Sequence, residues 1–196
     1  PHPVLMLERS RAHGAPAIRP RMAAKLRYGR RRAARAGTLV YGRAQANSIA
    51  GMFEALVRLH GLRWSLRGLP GVLDDECVLA WHREAAPRLL ESGLLRLWDL
   101  RLDGEPIAVL YCLADTQQGH ARRCYYYLGG FEPRWRTLSP GTLLVGYAIE
   151  QAMDEGLDAF DFLRGGEGYK YRWGAGNEAM CSLRAWHPSS REGGAP

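Results

Sequence analysis

Ser139-Pro140-Gly141-Thr142 opens a helix whose ends the sequence marks on both sides, with serine at the N-cap, proline at the first helical position and Gly156 just past the last turn. A β-rich stretch, Arg122 to Phe131, precedes this helix, and Asp158 to Leu163 (DAFDFL) follows it. Two strands joined by a crossover helix run parallel, because antiparallel neighbours need only a hairpin. Arg122 to Phe131 also closes a meander: Leu94 to Leu102, an Asp103-Gly104 turn, the apolar run Pro106 to Ala114, and a second turn over Asp115 to Gly119. One parallel pair attached to an antiparallel meander predicts a mixed, mostly antiparallel sheet flanked by helices, an α/β (α+β) fold. Pro106 to Ala114 is apolar throughout and belongs inside the sheet, and Tyr125, Tyr126 and Tyr127 suit a pleated strand. Gly129-Gly130 is unfavourable for a strand, which fits a bulge, a ligand lying against the backbone, or a plain turn.

The first part of the chain reads as helical with one strand. A helix runs from near Met22 to Gly37, and Thr38 to Ala44 forms a short strand. Asn47 or Ser48 then caps a helix with Ile49, Met52, Phe53, Leu56, Val57 and His60 at helical spacing. Asp74-Asp75 caps another, with Val78, Trp81, Ala85 and Leu89 on one face, a kink or break before Pro87 and an end at Gly93. A final strand is expected over Met180 to Trp186. Pro1 to Pro20, with four prolines and no period, reads as a tail or a linker from an upstream part, residues 21–187 as one domain, and 188–196 as a disordered C-terminal tail.

With 46% hydrophobic and 24% charged residues, the 196-residue chain is not globally disordered. No apolar run approaches the roughly 20 residues of a spanning helix, so no membrane insertion is expected. Cys77, Cys112, Cys124 and Cys181 form no C-x-x-C pair, which reads as reduced, mostly buried thiols in a cytoplasmic protein. Residues 1–68 hold 14 Lys/Arg against only Glu8 and Glu54, and eight basic residues fall between Arg19 and Arg35. That segment fits a phosphate-binding helix for RNA or another polyanion, or an amphipathic helix with a solvated basic face. No His, Cys, Asp or Glu group has zinc spacing, and no Ser-His-Asp order is evident, so no metal is expected.

Chemistry concentrates at three places. The small residues opening the 139–156 helix leave N–H groups accessible to a phosphate, which the helix dipole favours. Asp161 lies late in the parallel strand, where open α/β sheets bind ligands beyond the carboxyl end, and Glu167 and Tyr169 follow. Glu167 is the nearest carboxylate able to act as a base for a protonated amine, or it is a helix-start carboxylate. His60 lies on the apolar face of its helix, either as a satisfied core histidine or, with Arg63 and Trp64, as a functional cluster.

The element order resembles the GNAT acyltransferase fold. SPGTLL (Ser139 to Leu144), DFLRGGEGYKYRWG (Asp161 to Gly174) and LVRLHGLRW (with Val57 to Trp64 at its core) together resemble the acetyltransferase domain of bacterial CelD/BcsL-type proteins, over about residues 20–187. The resemblance implies an N- or O-acyltransferase using acetyl-CoA or another acyl-CoA, with a sugar, polysaccharide precursor or other small-molecule or glycan acceptor. It also implies an upstream GNAT-like half of the same full-length chain, as in the related Fem-type aminoacyltransferases. Arg136-Thr-Leu-Ser139-Pro-Gly141 is similar to the pyrophosphate-binding R/Q-x-x-G-x-G/A loop, with Ser139 in place of the first glycine, which puts Arg136, Ser139, Gly141 and Thr142 at the donor. Gly129 and Gly130 resemble the bulged strand beside pantetheine. Tyr169 resembles the tyrosine that protonates the thiolate, with Glu167 and Asp161 as its catalytic company. His60, Arg63, Trp64, Arg164 and Lys170 are assigned to the acceptor, Lys170 by likeness to the lysine of the Fem-type F-K motif. The alternatives are a Fem-type transferase using aminoacyl-tRNA, a non-catalytic basic nucleic-acid module, and a structural GNAT half without chemistry.

Overall fold

The structure, a computed structural model, describes residues 1–7, 17–117 and 121–181. Seven strands form one sheet: β1 (Pro3–Met6), β2 (Leu39–Arg43), β3 (Leu95–Leu102), β4 (Glu105–Ala114), β5 (Arg123–Phe131), β6 (Ala159–Asp161) and β7 (Gly176–Asn177), in the order β2-β3-β4-β5-β6-β1-β7. Every neighbouring pair is antiparallel except β5–β6, which is parallel, as the crossover helix requires. The helices are α1 (Pro20–Ala34), α2 (Ile49–Ser65), α3 (Glu76–Glu91), α4 (Pro140–Asp154) and the short α5 (Gly168–Trp173).

The pleat sorts side chains to two cores. Leu95, Leu97, Val109 and Tyr111 join Met52, Phe53, Leu56 and Leu59 of α2 and Ala86 of α3 on one face. Trp98, Leu100, Ala108, Leu110 and Phe160 join α1 and α4 on the other. The basic segment is amphipathic: Met22, Leu26 and Ala33 are buried, whereas Arg21, Lys25, Arg27, Arg31, Arg32 and Arg35 are exposed. α1 lies close on α4, since a Cβ at Gly146 would meet Leu26 Cδ2 at 2.6 Å.

Four expectations are corrected. Pro3–Met6 is no tail: it pairs with β6 and β7, and Val4 and Leu5 are each 2% exposed. Its partner, Val4 opposite Asp161, stands at the far end of the sequence, so no local pattern announces the strand. α3 continues through Pro87 to Glu91, anchored on either side of the lost hydrogen bond by buried Ala86 and His82 and by partly buried Leu89 and Leu90. The same contacts rotate its buried face by one residue, leaving Trp81 60% exposed. Ser139 adopts a left-handed conformation (φ 56°, ψ 47°), and its hydroxyl caps nothing. The expected strand over Met180 to Trp186 and the 188–196 tail fall almost wholly outside the described residues; Met180 and Cys181 carry no strand. All four cysteines are free, Cys112 and Cys124 buried, Cys77 and Cys181 exposed.

Candidate active site

β5 carries its extra residue at Tyr127, not at the glycines: Tyr111 of β4 faces Leu128 and Cys112 faces Tyr126. Gly130 has a packing role, and Gly129 lines the second cavity described below. A Cβ at Gly130 would lie 2.3 Å from the His60 nitrogen and 2.4 Å from the Leu59 carbonyl carbon, so α2 crosses β5 with backbone against backbone. The crossing delivers His60 and Arg63 to one acceptor: the Gly129 carbonyl lies 3.3 Å from His60 Nδ1 and receives a hydrogen bond of 3.1 Å from Arg63 Nη1.

After β5, a 3₁₀ turn (Pro133–Leu138) and left-handed Ser139 set the start of α4. The Ser139 carbonyl accepts from Thr142 and Leu143 N–H, tightening the first turn. Arg136, Ser139, Gly141 and Thr142 line a cavity of about 290 Å³, to which Lys25 of α1 and Arg172 of α5 add positive charge; no carboxylate is among its lining residues. Through Met22, Lys25 and Arg172 it continues into an open groove of about 910 Å³ with Arg19, Arg21 and Tyr28. Cationic walls and a helix start fit a polyphosphate.

A second cavity, of about 190 Å³, is lined by His60, Trp64, Arg164, Glu167 and Lys170. Arg63, Tyr126 and Tyr169 line both cavities, so these three form the partition where the two meet. Burial raises the hydroxyl pKa of Tyr126, against the opposing pull of Arg63, and burial with the neighbouring Tyr126 raises that of Tyr169, so both phenols hold their protons.

The expected catalytic carboxylates are less free than their sequence positions imply. Asp161 is 1% exposed and lines neither cavity. Its oxygen Oδ1 lies 2.7 Å from His2 Nε2 and accepts from Leu163 N–H at 2.8 Å, with Arg123 at 3.6 Å from Oδ2, so it locks β1 and β5 to the end of β6. Glu167 lines the second cavity but pairs with Lys170 at 2.9 Å; burial opposes ionisation, yet that ion pair holds its carboxyl below the ordinary value. Lys170, assigned to the acceptor by resemblance, lines the second cavity and is held by the protein itself. It is 3% exposed, and its Nζ donates to the carbonyls of Arg164 (2.7 Å) and Gly165 (3.3 Å), clamping the loop in front of α5. Arg164 is exposed at the cavity rim.

Sequence reasoning missed Lys25, Arg172, Tyr126 and Tyr127. Their signals were a basic helix, the DFLRGGEGYKYRWG segment and a tyrosine run, none of which says which member faces a cavity. Among the described residues no group of His, Cys, Asp and Glu is placed to hold a metal ion, and no helix is long and apolar enough to cross a membrane.

Known structures share this architecture. The chain is similar to FemX (TM-score 0.63, 13% identity, over 89% of this chain and 58% of that one). It is similar to a predicted acetyltransferase with acetyl-CoA from Clostridium acetobutylicum (0.51, 14%, over 80% and 100%). It is also similar to an aminoglycoside acetyltransferase from an uncultured soil metagenomic sample (0.54, 14%, over 76% and 97%). No curated protein sequence matches the chain. At these identities the structures establish the fold. Residues 20–171, spanning α1 to α5, match the family model described as an acetyltransferase (GNAT) domain, and the chain therefore belongs to the GNAT acetyltransferase family and is by family an acyltransferase.

Proposed function

We propose that this domain moves an acyl group from an acyl-CoA, acetyl-CoA in the simplest case, to an amine or hydroxyl of a small polar acceptor. The observation that carries the reading is the partition: a cationic cavity at a helix start and a second, polar cavity share Arg63, Tyr126 and Tyr169. The start of α4, with Arg136, Lys25 and Arg172, holds the donor's phosphates, and the groove along α1 receives its nucleotide end. When bound, the thioester supplies the activated acyl carbon. The protein contributes orientation, a protonated Tyr169 hydroxyl to stabilise the departing sulfur, and a loop held in shape by Lys170. Arg63, fixed on the Gly129 carbonyl, keeps α2 and β5 in register across the partition.

The resemblance to CelD/BcsL-type proteins supports a sugar or polysaccharide precursor as acceptor and a role in exopolysaccharide or envelope synthesis. Four free cysteines support a cytoplasmic setting. The resemblance to Fem-type enzymes supports an upstream GNAT-like half of the same full-length chain, and this chain matches 58% of FemX. The groove with Arg19, Arg21, Lys25, Tyr28 and Arg172 favours a second reading, in which an aminoacyl-tRNA is the donor and its phosphates lie along α1. Thiol release from acetyl-CoA, followed with glucosamine and with sisomicin as acceptors, tests the first reading. Acceptor-dependent release supports it. Absence of release, together with salt-sensitive stabilisation by RNA but none by acetyl-CoA, would establish the second.

A further inference from the structure

We infer that His60 Nε2 is the proton acceptor for the nucleophile, and that Gly71, packed against the edge of the ring, fixes its place; the inference rests on the transferase reading above. Nδ1 lies 3.3 Å from the Gly129 carbonyl oxygen, which only accepts, so the proton of the neutral ring sits on Nδ1 and the lone pair on Nε2. His60 is 3% exposed, and Nε2 has no hydrogen-bond partner among the described residues. One turn on, Trp64 Nε1 is buried and equally unpartnered. Buried polar atoms are nearly always paired, because an unpaired one forfeits the full cost of its desolvation. Here the residues that carry a free acceptor and a free donor both line one cavity. They match the N–H or O–H of a nucleophile and the oxygen of a neighbouring substituent.

The other candidates are committed. Glu167 is paired with Lys170, Asp161 is bonded to His2 and Leu163 and does not line the cavity, the Asp74 carboxylate accepts from Gly71 N–H at 2.8 Å, and Tyr126 and Tyr169 hold their protons. Gly71 has φ −81° and ψ 158°, a conformation open to any residue, so its backbone does not call for glycine. Space does. A Cβ there would come within 2.8 Å of His60 Cδ2, 2.9 Å of Nε2 and 3.1 Å of Trp64 Cδ1.

The charged and titratable groups around the ring are Arg63 on its own helix, Asp74 in the turn Val72–Asp74, Tyr126 and Tyr127 on β5, and Arg164, Glu167, Tyr169 and Lys170 across the cavity. Burial lowers the imidazole pKa and Arg63 adds to this, while the Gly129 contact and Asp74 oppose; the balance lies below the ordinary 6.5, leaving the ring neutral at pH 7. In the transfer step Nε2 takes the proton from the nucleophile as its N–C or O–C bond to the acyl carbon forms. The C–S bond breaks with its electron pair left on sulfur, Tyr169 hands a proton to that sulfur and regains one from water, and the imidazolium releases its proton to water.

His60→Asn keeps a donor near the Nδ1 position and removes the Nε2 lone pair. With acetyl-CoA and whichever of glucosamine or sisomicin the wild type acetylates, it is expected to lose ~10²- to 10⁴-fold in kcat/KM. It is also expected to lose the acid limb of the pH profile while keeping acetyl-CoA affinity. Gly71→Ala is expected to lower kcat in the same direction. Nitrogen NMR of histidine-labelled wild type, with His60→Asn or His60→Gln assigning the signal, reads the tautomer without any substrate. A neutral Nδ1–H ring at pH 7 supports the inference, and an Nε2–H or charged ring overturns it. An active wild type whose His60→Asn variant keeps the acid limb also overturns it and leaves the transferase reading intact. No turnover by the wild type would overturn the transferase reading and this inference with it.

Discussion

Gly130→Ala tests the backbone crossing on which the site is built. The added Cβ would stand 2.3, 2.4 and 2.8 Å from the His60 nitrogen and the Leu59 carbonyl carbon and oxygen, all of them helix backbone with hydrogen-bonding duties of its own. No rotamer relieves such a contact, so α2 must shift away from β5. Overpacking in a core costs typically 1–3 kcal/mol, and a clash with backbone belongs at the upper end, about 3 kcal/mol. For a chain of this size, about 3 kcal/mol corresponds to a fall in Tm of roughly 6–12 °C. Gly61→Ala is the internal control: the site lies within α2 with nothing inside 4 Å of its Cβ, and the substitution is expected to stabilise by about 0.5–1 kcal/mol. Urea denaturation followed by far-UV circular dichroism measures both. Because the shift carries His60 and Arg63 off the Gly129 carbonyl, Gly130→Ala is also expected to lose activity at temperatures where it is folded. A Gly130→Ala protein within about 0.5 kcal/mol of wild type would refute the packing argument, since that is the range of an uninvolved surface change.

Tyr169→Phe is expected to lower kcat by ~10²- to 10⁴-fold with acetyl-CoA affinity nearly unchanged, because the ring that fills the partition stays and only the proton goes; steady-state kinetics with calorimetric donor binding separates the two. Lys170→Ala is expected to act on stability before KM, costing about 1.5–3 kcal/mol in urea melts, since the buried ammonium bonds two carbonyls and Glu167. Burial holds both His60 and His82 below their ordinary pKa, so the unfolded chain takes up their protons first on acidification. Stability is then full above about pH 6.5 and falls as the pH drops from there through the folded values; His82→Gln should flatten the decline in urea midpoint between pH 7.5 and 5.5.

Locally written features were the legible ones. Pro140 and Gly156 bracket α4, Asp103-Gly104 closes the β3–β4 hairpin, and the crossover makes β5–β6 parallel; each signal lies within a few residues of the structure it fixes. β1 was illegible because four residues carry no period and their partners lie at the other end of the chain. The helix start that lines the first cavity was legible, but the share of Lys25 and Arg172 in that cavity depends on how α1 and α5 dock. Gly130 stood out in the sequence, and the structure gives it a helix contact, while Gly129 also lines the second cavity. Burial of Lys170 follows from a carbonyl cage that exists only once the 164–167 loop has folded back, and the committed state of Asp161 follows from β1. The partition of Arg63, Tyr126 and Tyr169 joins three elements, and no spacing in one chain segment encodes such a meeting.

The central claim is that the start of α4 binds the phosphates of an acyl-CoA, and calorimetric titration of acetyl-CoA into wild type and Gly141→Glu tests it most directly. The glycine has φ in the ordinary helical range, and a Cβ there meets only Phe131 Cδ1 at 3.5 Å, so the substitution leaves the fold in place while setting a negative charge at the helix start. Binding by the wild type and its loss in a folded Gly141→Glu protein is the predicted result. Equal affinity in the two proteins would contradict the account.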